Sequence, residues 1–282
     1  MEAIKKIPVT VVVPVKNEER NLREQLPLLE RFAQVIVVDS SSTDSTKEVV
    51  ESAGATYLNF EWNGSFPKKR NWTLEQNIVS NAWVFFLDAD ELVNDTFLDA
   101  LEIAVQDDDK QGYWLSYTNI FIGRQLKYGV PERKLALFRS STGRYERIEE
   151  DHWAKFDMEI HEHPVLSGNI GLIKEKILHK EYKNCESYIL KHIEYAKWES
   201  RRYEKLRESI DAGEVELTRR QKVKYSLITK LWFPYAYFFY AYVIKLGFMD
   251  GGYGLRYAMY KAFYFSTIGI MIKEKETLEK HA

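Results

Sequence analysis

The chain has 282 residues, enough for one large domain or for one domain with a helical appendage. Apolar residues make up 45% of it, so a sizeable core can form, and a formal net charge of −2 excludes a generally basic nucleic-acid binder. The single cysteine, Cys185, excludes an intramolecular disulfide framework and fits a reducing compartment.

The first 15 residues, MEAIKKIPVTVVVPV, place two lysines before a short apolar run. Pro8 and Pro14 interrupt that run and no small-residue cleavage site follows, so it reads as a strand and not as a secretory leader. A cytoplasmic location is therefore expected. Residues 8–15 are β-branched and nearly all apolar, which suits a strand buried on both faces. A helix is expected over 18–32, with Leu22, Leu26, Leu29 and Phe32 on one stripe. Residues 34–39 (QVIVVD) form a second buried strand. Ser42, Thr43 and Asp44 offer N-caps for a helix through Ala53, which Gly54 ends. A third strand covers 55–60, a helix 68–79, and a fourth strand 82–87 (AWVFFL), which runs into Asp88-Ala89-Asp90-Glu91. Asn94 then caps a helix through Val105. Strand and helix alternate with short connections over 8–105, the pattern of a mostly parallel sheet with helices on both faces.

From residue 112 the style changes. Residues 112–129 read as a hairpin turning near Gly123-Arg124, and 134–139 (KLALFR) and 170–179 (IGLIKEKILH) as further strands. Residues 184–209 form a charged helix, 211–218 a polar linker, and two aromatic-rich helical stretches follow, split at 247–254. The boundaries expected are a catalytic α/β domain over 1–183 and a helical region over 184–282. Residues 219–282 carry 11 Lys/Arg against 4 Asp/Glu, and they contain the apolar run 231–244. Its 14 residues fall short of the roughly 20 needed to cross a bilayer. Aromatic rings beside a basic excess suit a membrane surface, with a helical cover for the catalytic domain as the other reading.

In such a sheet, ligands bind beyond the carboxyl ends of the strands. Three polar clusters fall there: Lys16-Asn17-Glu18, then Asp39-Ser40-Ser41-Ser42-Thr43-Asp44, then Asp88-Ala89-Asp90-Glu91. Each alone is an ordinary turn sequence; three at one edge point to a site. If the fourth strand continued through Asp88 and Asp90, their side chains would face the same way, about 6.8 Å apart. Paired carboxylates need a cation nearby, and Mg²⁺ or Mn²⁺ shares such oxygens with substrate phosphates. No glycine-rich phosphate loop follows the first strand, which disfavours dinucleotide dehydrogenases and P-loop enzymes. An aspartyl-nucleophile phosphatase would carry its D-x-D on the first strand instead.

The strings VVVPVKNEE, VIVVDSSSTDST, GSFPKKRN and FFLDADE, in that order across residues 9–91, resemble the family 2 glycosyltransferases of GT-A fold. The segment Ile160-His161-Glu162 and the tail Gly247-Phe248-Met249-Asp250-Gly251-Gly252-Tyr253-Gly254 resemble one branch, the lipopolysaccharide-core heptose glucosyltransferases and related exopolysaccharide enzymes. The resemblance implies an inverting hexosyl transfer from a nucleotide sugar, of UDP type, to a lipid-linked saccharide, with Mg²⁺ or Mn²⁺. It implies that Pro14, Asn17 and Glu18 line the nucleotide pocket. Asp39 would accept from the base, Arg70 and Asn71 would contact nucleotide or sugar, Asp88 would lie near ribose or sugar, and Asp90 would hold the metal. Inverting transfer needs a carboxylate base. The resemblance places His-Glu at the active site, so Glu162 is the choice, with Asp157 and Glu159 in reserve; His161 reads either as a diphosphate or metal contact or as a simple hydrogen-bonding histidine. Asp44 reads as a helix cap, and Lys68 and Lys69 as solvated. The competing classes are a non-catalytic nucleotide-sugar-binding protein and a nucleotidyltransferase. The first would lack an acid of the D-x-D or of the 157–162 segment, and the second would want a basic glycine-rich loop after strand one. The enzyme is expected on the inner face of the cytoplasmic membrane, seated through residues 219–282.

Overall fold

The structure is a computed structural model that describes residues 6–146, 164–180, 184–211 and 219–279. The chain divides into two compact units, Met1–Thr118 with Glu132–Glu181 and Asn119–Pro131 with Tyr182–Ala282. In chain order the strands are β1 (Ile7–Val15), β2 (Phe32–Asp39), β3 (Thr56–Asn59), β4 (Trp83–Phe86), β5 (Glu91–Leu92) and β6 (Lys110–Phe121). They continue with β7 (Arg124–Leu126), β8 (Arg133–Arg139), β9 (Arg144–Tyr145), β10 (Pro164–Val165) and β11 (Asn169–His179). The helices of the first unit are α1 (Glu19–Gln25), α2 (Thr46–Ser52), α3 (Lys69–Glu75) and α4 (Asp95–Ala104).

The main sheet runs β3-β2-β1-β4-β8-β6-β11-β5. Its first four strands are parallel, and β8 and β5 run antiparallel to their neighbours. The mostly parallel α/β architecture with helices on both faces is the one expected from the sequence. The unbroken apolar runs of β1 and β4 follow from burial on both sides. Val9, Val11, Val13, Trp83 and Phe85 join one core with Leu22, Phe97 and Leu101, while Val12, Val84 and Phe86 join another with Leu74 and Phe138. From β1 the chain steps outward to β2 and β3 on one side, and β4 lies on the other, so the strand order reverses between β1 and β4. In open α/β sheets a ligand binds where the order reverses, beyond the carboxyl ends of the strands.

Three local details differ from expectation. The single helix over 18–32 is broken: α1 ends at Gln25, a 3₁₀ turn covers Leu26–Leu29, and Phe32 already starts β2. Pro27 has no N–H, and its ring crowds the carbonyl four residues back, so an α-helix cannot continue through it. The helix over 68–79 stops at Glu75, and Asn77 follows in the left-handed region at φ 54°. Asp88 and Asp90 do not continue a strand. They belong to a turn that Glu91 N closes on Asp88 O at 3.0 Å, so their side chains have separate surroundings. The Asn94 cap holds: its Oδ1 accepts from Phe97 N at 2.9 Å.

The second unit contains the end of β6, β7, and the helices α5 (Cys185–Asp211), α6 (Arg219–Ile228), α7 (Phe233–Phe239) and α8 (Gly251–Glu279). Residues 119–131, expected with the first domain, lie here because their own contacts do. Phe121 and Leu126 pack with Tyr188, Tyr257 and Tyr260, and the Asp250 carboxylate accepts from Lys127 N and Tyr128 N at 2.9–3.2 Å. The glycine-rich tail is a junction: α7 passes through a π turn and a 3₁₀ turn into α8. A Cβ on Gly254 would stand 1.9 Å from Gly247 O, so only glycine fits there. Among the described residues no helix is long and apolar enough to cross a membrane.

Candidate active site

The loops that follow β1 and β2 are interlocked. Asn17, at φ 55°, donates its N–H to Ser42 Oγ at 2.7 Å and accepts Thr43 N on Oδ1 at 2.8 Å. Glu18 N donates to Thr46 Oγ1, Glu19 N to Asp44 Oδ2, and Ser45 N returns to Glu19 Oε2 at 3.0 Å. Asp44 also accepts Thr46 N at the start of α2, so it works at the helix end as expected and ties α1 to α2 as well. Pro14 is buried in β1, and Glu18 accepts from Asn21. Asp39 is 1% exposed. Its carboxylate accepts from the Ser42 N–H and hydroxyl and from Tyr57 OH at 2.9 Å. Burial and that bond push the Tyr57 hydroxyl up to about 12. The carboxylate expected to meet a base is thus already engaged by the fold.

Helix α3 brings further polar side chains to the same strand ends. Lys69 is buried and donates to Val15 O at 3.0 Å, pinning the end of β1; Lys68 is buried too. The expectation that both are solvated is overturned, because the α3 N-terminus lies beneath the strand ends. Asn71, expected to contact nucleotide or sugar, is 1% exposed. Its amide clamps the Tyr145 backbone, donating to Tyr145 O at 3.0 Å and accepting Tyr145 N at 2.9 Å.

At the centre lies the Asp88–Glu91 turn. Gln25, fully buried, donates to both Asp88 O and Glu91 O at 2.7 Å and holds the turn from behind. Lys180 N donates to Asp90 O at 2.8 Å, and Glu91 pairs with His179 across β5 and β11. The acids meet cations supplied by distant strands. Asp88 accepts from Arg70 Nη2 at 2.8 Å and Lys134 Nζ at 2.9 Å. Lys134 also contacts Glu91 and lies over the Tyr117 ring. His179 sits between Asp90, 3.6 Å from Nε2, and Glu132, 3.6 Å from Nδ1. Burial works against ionising Asp88, yet Lys134 and Arg70 outweigh it and hold its carboxyl well below the usual range. Asp90 is lowered likewise, burial being overcome by His179. Burial pushes Glu91 up to about 7 even with Lys134 beside it. For His179 burial is outweighed by Asp90 and Glu132, which raise it to about 10.

Of the residues anticipated, Arg70, Asp88 and Asp90 come together here, and Asn17, Glu18 and Asp39 form the wall beside β1 and β2. Asp157, Glu159, His161 and Glu162 lie outside the described residues. Sequence reasoning missed Gln25, Lys134 and His179. Lys134 opens the strand recognised over 134–139, and His179 ends the one read over 170–179, so their strand ends were the only signal. Among the described residues no three His, Cys, Asp or Glu side chains gather into a metal site. Oδ1 of Asp90 has no hydrogen-bond partner among them, since His179 faces Oδ2.

The sequence pattern of the family described as Glycosyl transferase family 2 matches residues 10–162. The chain belongs to that family. This family 2 glycosyltransferase is 31% identical over 206 residues to the lipopolysaccharide core biosynthesis glycosyltransferase LpsC of Rhizobium meliloti (strain 1021), over 68% of this chain and 70% of that one. An uncharacterized glycosyltransferase of Rickettsia bellii (strain RML369-C) is 33% identical over 105 residues, 36% of this chain and 35% of its own. The mannosyltransferase PcManGT from Pyrobaculum calidifontis, solved with GDP-Man and Mn²⁺, superposes with a TM-score of 0.54 at 16% identity. That match covers 95% of this chain and 87% of PcManGT, and it establishes the GT-A type of fold.

Proposed function

We propose that this glycosyltransferase moves a hexose from a UDP-sugar to a lipid-linked saccharide of lipopolysaccharide or exopolysaccharide synthesis, inverting the anomeric carbon, as a peripheral enzyme on the inner face of the cytoplasmic membrane. The observation that carries the reading is the acidic turn at the point where strand order reverses, where Asp90 Oδ1 has no hydrogen-bond partner among the described residues. The similarity to LpsC supports a lipopolysaccharide-type acceptor.

The residues present fit a hard divalent cation such as Mg²⁺ or Mn²⁺. Such ions bind proteins through one or two side chains and take their remaining ligands from substrate phosphates. Asp90 would hold it, while His179, charged between Asp90 and Glu132, steadies that carboxylate from its other oxygen and is not itself a ligand. PcManGT, of the same fold, carries Mn²⁺ beside its GDP-Man. The bound ion would neutralise the diphosphate as it leaves. Arg70 and Lys134 anchor Asp88 and keep the turn in shape, so Asp90 stays aimed at the crevice. Glu162 is the proposed base. Its carboxylate takes the proton from the acceptor hydroxyl as that oxygen bonds to the anomeric carbon and the nucleotide diphosphate departs.

A panel of UDP- and GDP-sugars, offered with extracted membrane lipids and read by nucleoside diphosphate release, tests the donor and acceptor together. Asp90→Asn is expected to abolish transfer with the fold retained by circular dichroism; normal turnover would remove the metal role. Glu162→Gln is expected to lower kcat by a factor of about 10²–10⁴ with donor binding kept. An unchanged kcat would move the base to Asp157 or Glu159.

A further inference from the structure

One side of α7 and of the π turn that follows it, Tyr240–Ile244, is packed. Pro234 and Ala241 are buried, and Phe233 and Tyr237 lie against Phe265 of α8, with ring centroids 5.2 and 4.6 Å apart. The other side is as apolar as the packed one and faces outward. Leu231 is 88% exposed, Tyr235 74%, Phe239 56% and Trp232 55%, with Tyr240 and Val243 beside them. Within α7, at about 100° per residue, Tyr235 and Phe239 lie on one side of the helix and Pro234 and Tyr237 on the other. A contiguous exposed patch of this composition marks a docking surface and not an ordinary solvated face.

Charge decides the occupant. Residues 219–249 contain six Lys/Arg and no Asp or Glu. Lys230 and Lys245 bracket the aromatic stretch, and Lys245 Nζ lies 5.4 Å from the Tyr240 ring centroid. Protein interfaces deplete lysine around their apolar centres. Trp, Tyr and Phe at one level, framed by cations with no acid among them, match the headgroup boundary of an anionic bilayer. No described helix is long and apolar enough to cross a membrane, so contact with a bilayer would be along its surface.

We infer that the outward face of α7, with Leu231, Trp232, Tyr235 and Phe239 as its apolar contact and Lys230 and Lys245 at its ends, docks on anionic lipid headgroups. This deepens the peripheral-membrane part of the reading above and is independent of the sugar-transfer part. The test is co-sedimentation of the full chain with sucrose-loaded vesicles of phosphatidylcholine alone, or with about one third phosphatidylglycerol. The chain should pellet with the anionic vesicles and stay largely in solution with the neutral ones. Lys230→Gln and Lys245→Gln should each weaken partitioning roughly five-fold. Raising the salt from about 0.1 to about 1 M should remove the lysine contribution, because the Debye length shortens from about 10 to about 3 Å. Tyr235→Ser with Phe239→Ser should weaken partitioning roughly ten-fold or more, with far-UV circular dichroism unchanged. Brominated lipid should quench part of the tryptophan emission in the wild type and less in Trp232→Phe.

Equal pelleting of the wild type and the Tyr235/Phe239 variant would overturn the proposal, as would a wild type that stays in solution with both vesicles. Sedimentation velocity showing a dimer that the double variant loses would assign the face to a second copy and overturn it likewise. Donor hydrolysis without lipid, read by nucleoside diphosphate release, should be the same in all these variants, so loss of docking and failure of the transfer reading are separate results.

Discussion

Lys134 is one cation serving two acids, bridging Asp88 and Glu91 from a strand more than 40 residues away in sequence. Glu91 is buried, and Lys134 is the cation in contact with its carboxylate. Lys134→Met therefore leaves an acid inside the sheet that no longer has that contact. Breaking a buried pair from one side costs about 3 kcal/mol at the low end, the end that applies because Lys134 is itself partly exposed. Urea unfolding should show that loss. Transfer should fall as well, because Asp88 would retain only Arg70 and the turn beneath Asp90 would relax. A variant with native stability and native turnover would reduce Lys134 to a surface contact. Gln25 complements it from the backbone side: its amide spans Asp88 O and Glu91 O, so the turn is fixed by a neutral donor beneath and a cation above.

At the level of elements, Asn94 and Gly254 are the clearest tests. Asn94→Ala removes the acceptor for Phe97 N and should lower stability by about 1 kcal/mol in thermal or urea unfolding. Gly254→Ala forces a methyl onto Gly247 O and should destabilise the second unit by about 2 kcal/mol or more. Accelerated proteolytic cleavage within that unit would report it. The same contrast explains what could be read from the chain alone. Strands buried on both faces announce themselves as unbroken apolar runs, as β1 and β4 do, and a capping Asn is a local signal. The D-x-D lies beside its own strand and is equally local. Lys134 and His179 reach the site only through sheet order, Gln25 from the end of α1, and no spacing in the sequence encodes that β8 lies beside β4 or that β11 ends against β5. Lys68 and Lys69 looked solvated because lysine usually is. Their burial depends on α3 lying under the end of β1, which is a tertiary fact. Pro27, by contrast, was a local breaker in plain view, and the apolar stripe around it masked its effect.

Across the whole molecule, the two units carry different kinds of chemistry: a charge network at a sheet edge in one, an aromatic and basic surface in the other. A ligand that binds only the folded state stabilises it by mass action. UDP at about a hundredfold its Kd, with Mn²⁺ held constant, should raise stability by about 2.7 kcal/mol. The shift in melting temperature should vanish with a chelator, and Asp90→Asn should abolish the metal-dependent part. A shift that survives both would mean that nucleotide binds without the ion. The cross-bonded turns after β1 and β2 have one more consequence. Asn17, Glu18, Glu19, Ser42, Asp44, Ser45 and Thr46 share their hydrogen bonds between two loops, so these form a single rigid lip. A nucleotide bound there, as the proposed function requires, would meet a wall already assembled and would lose no loop entropy on that side. Damage travels the other way: Ser42→Ala, well outside the acidic turn, would free the Asn17 amide and loosen the end of the central strand.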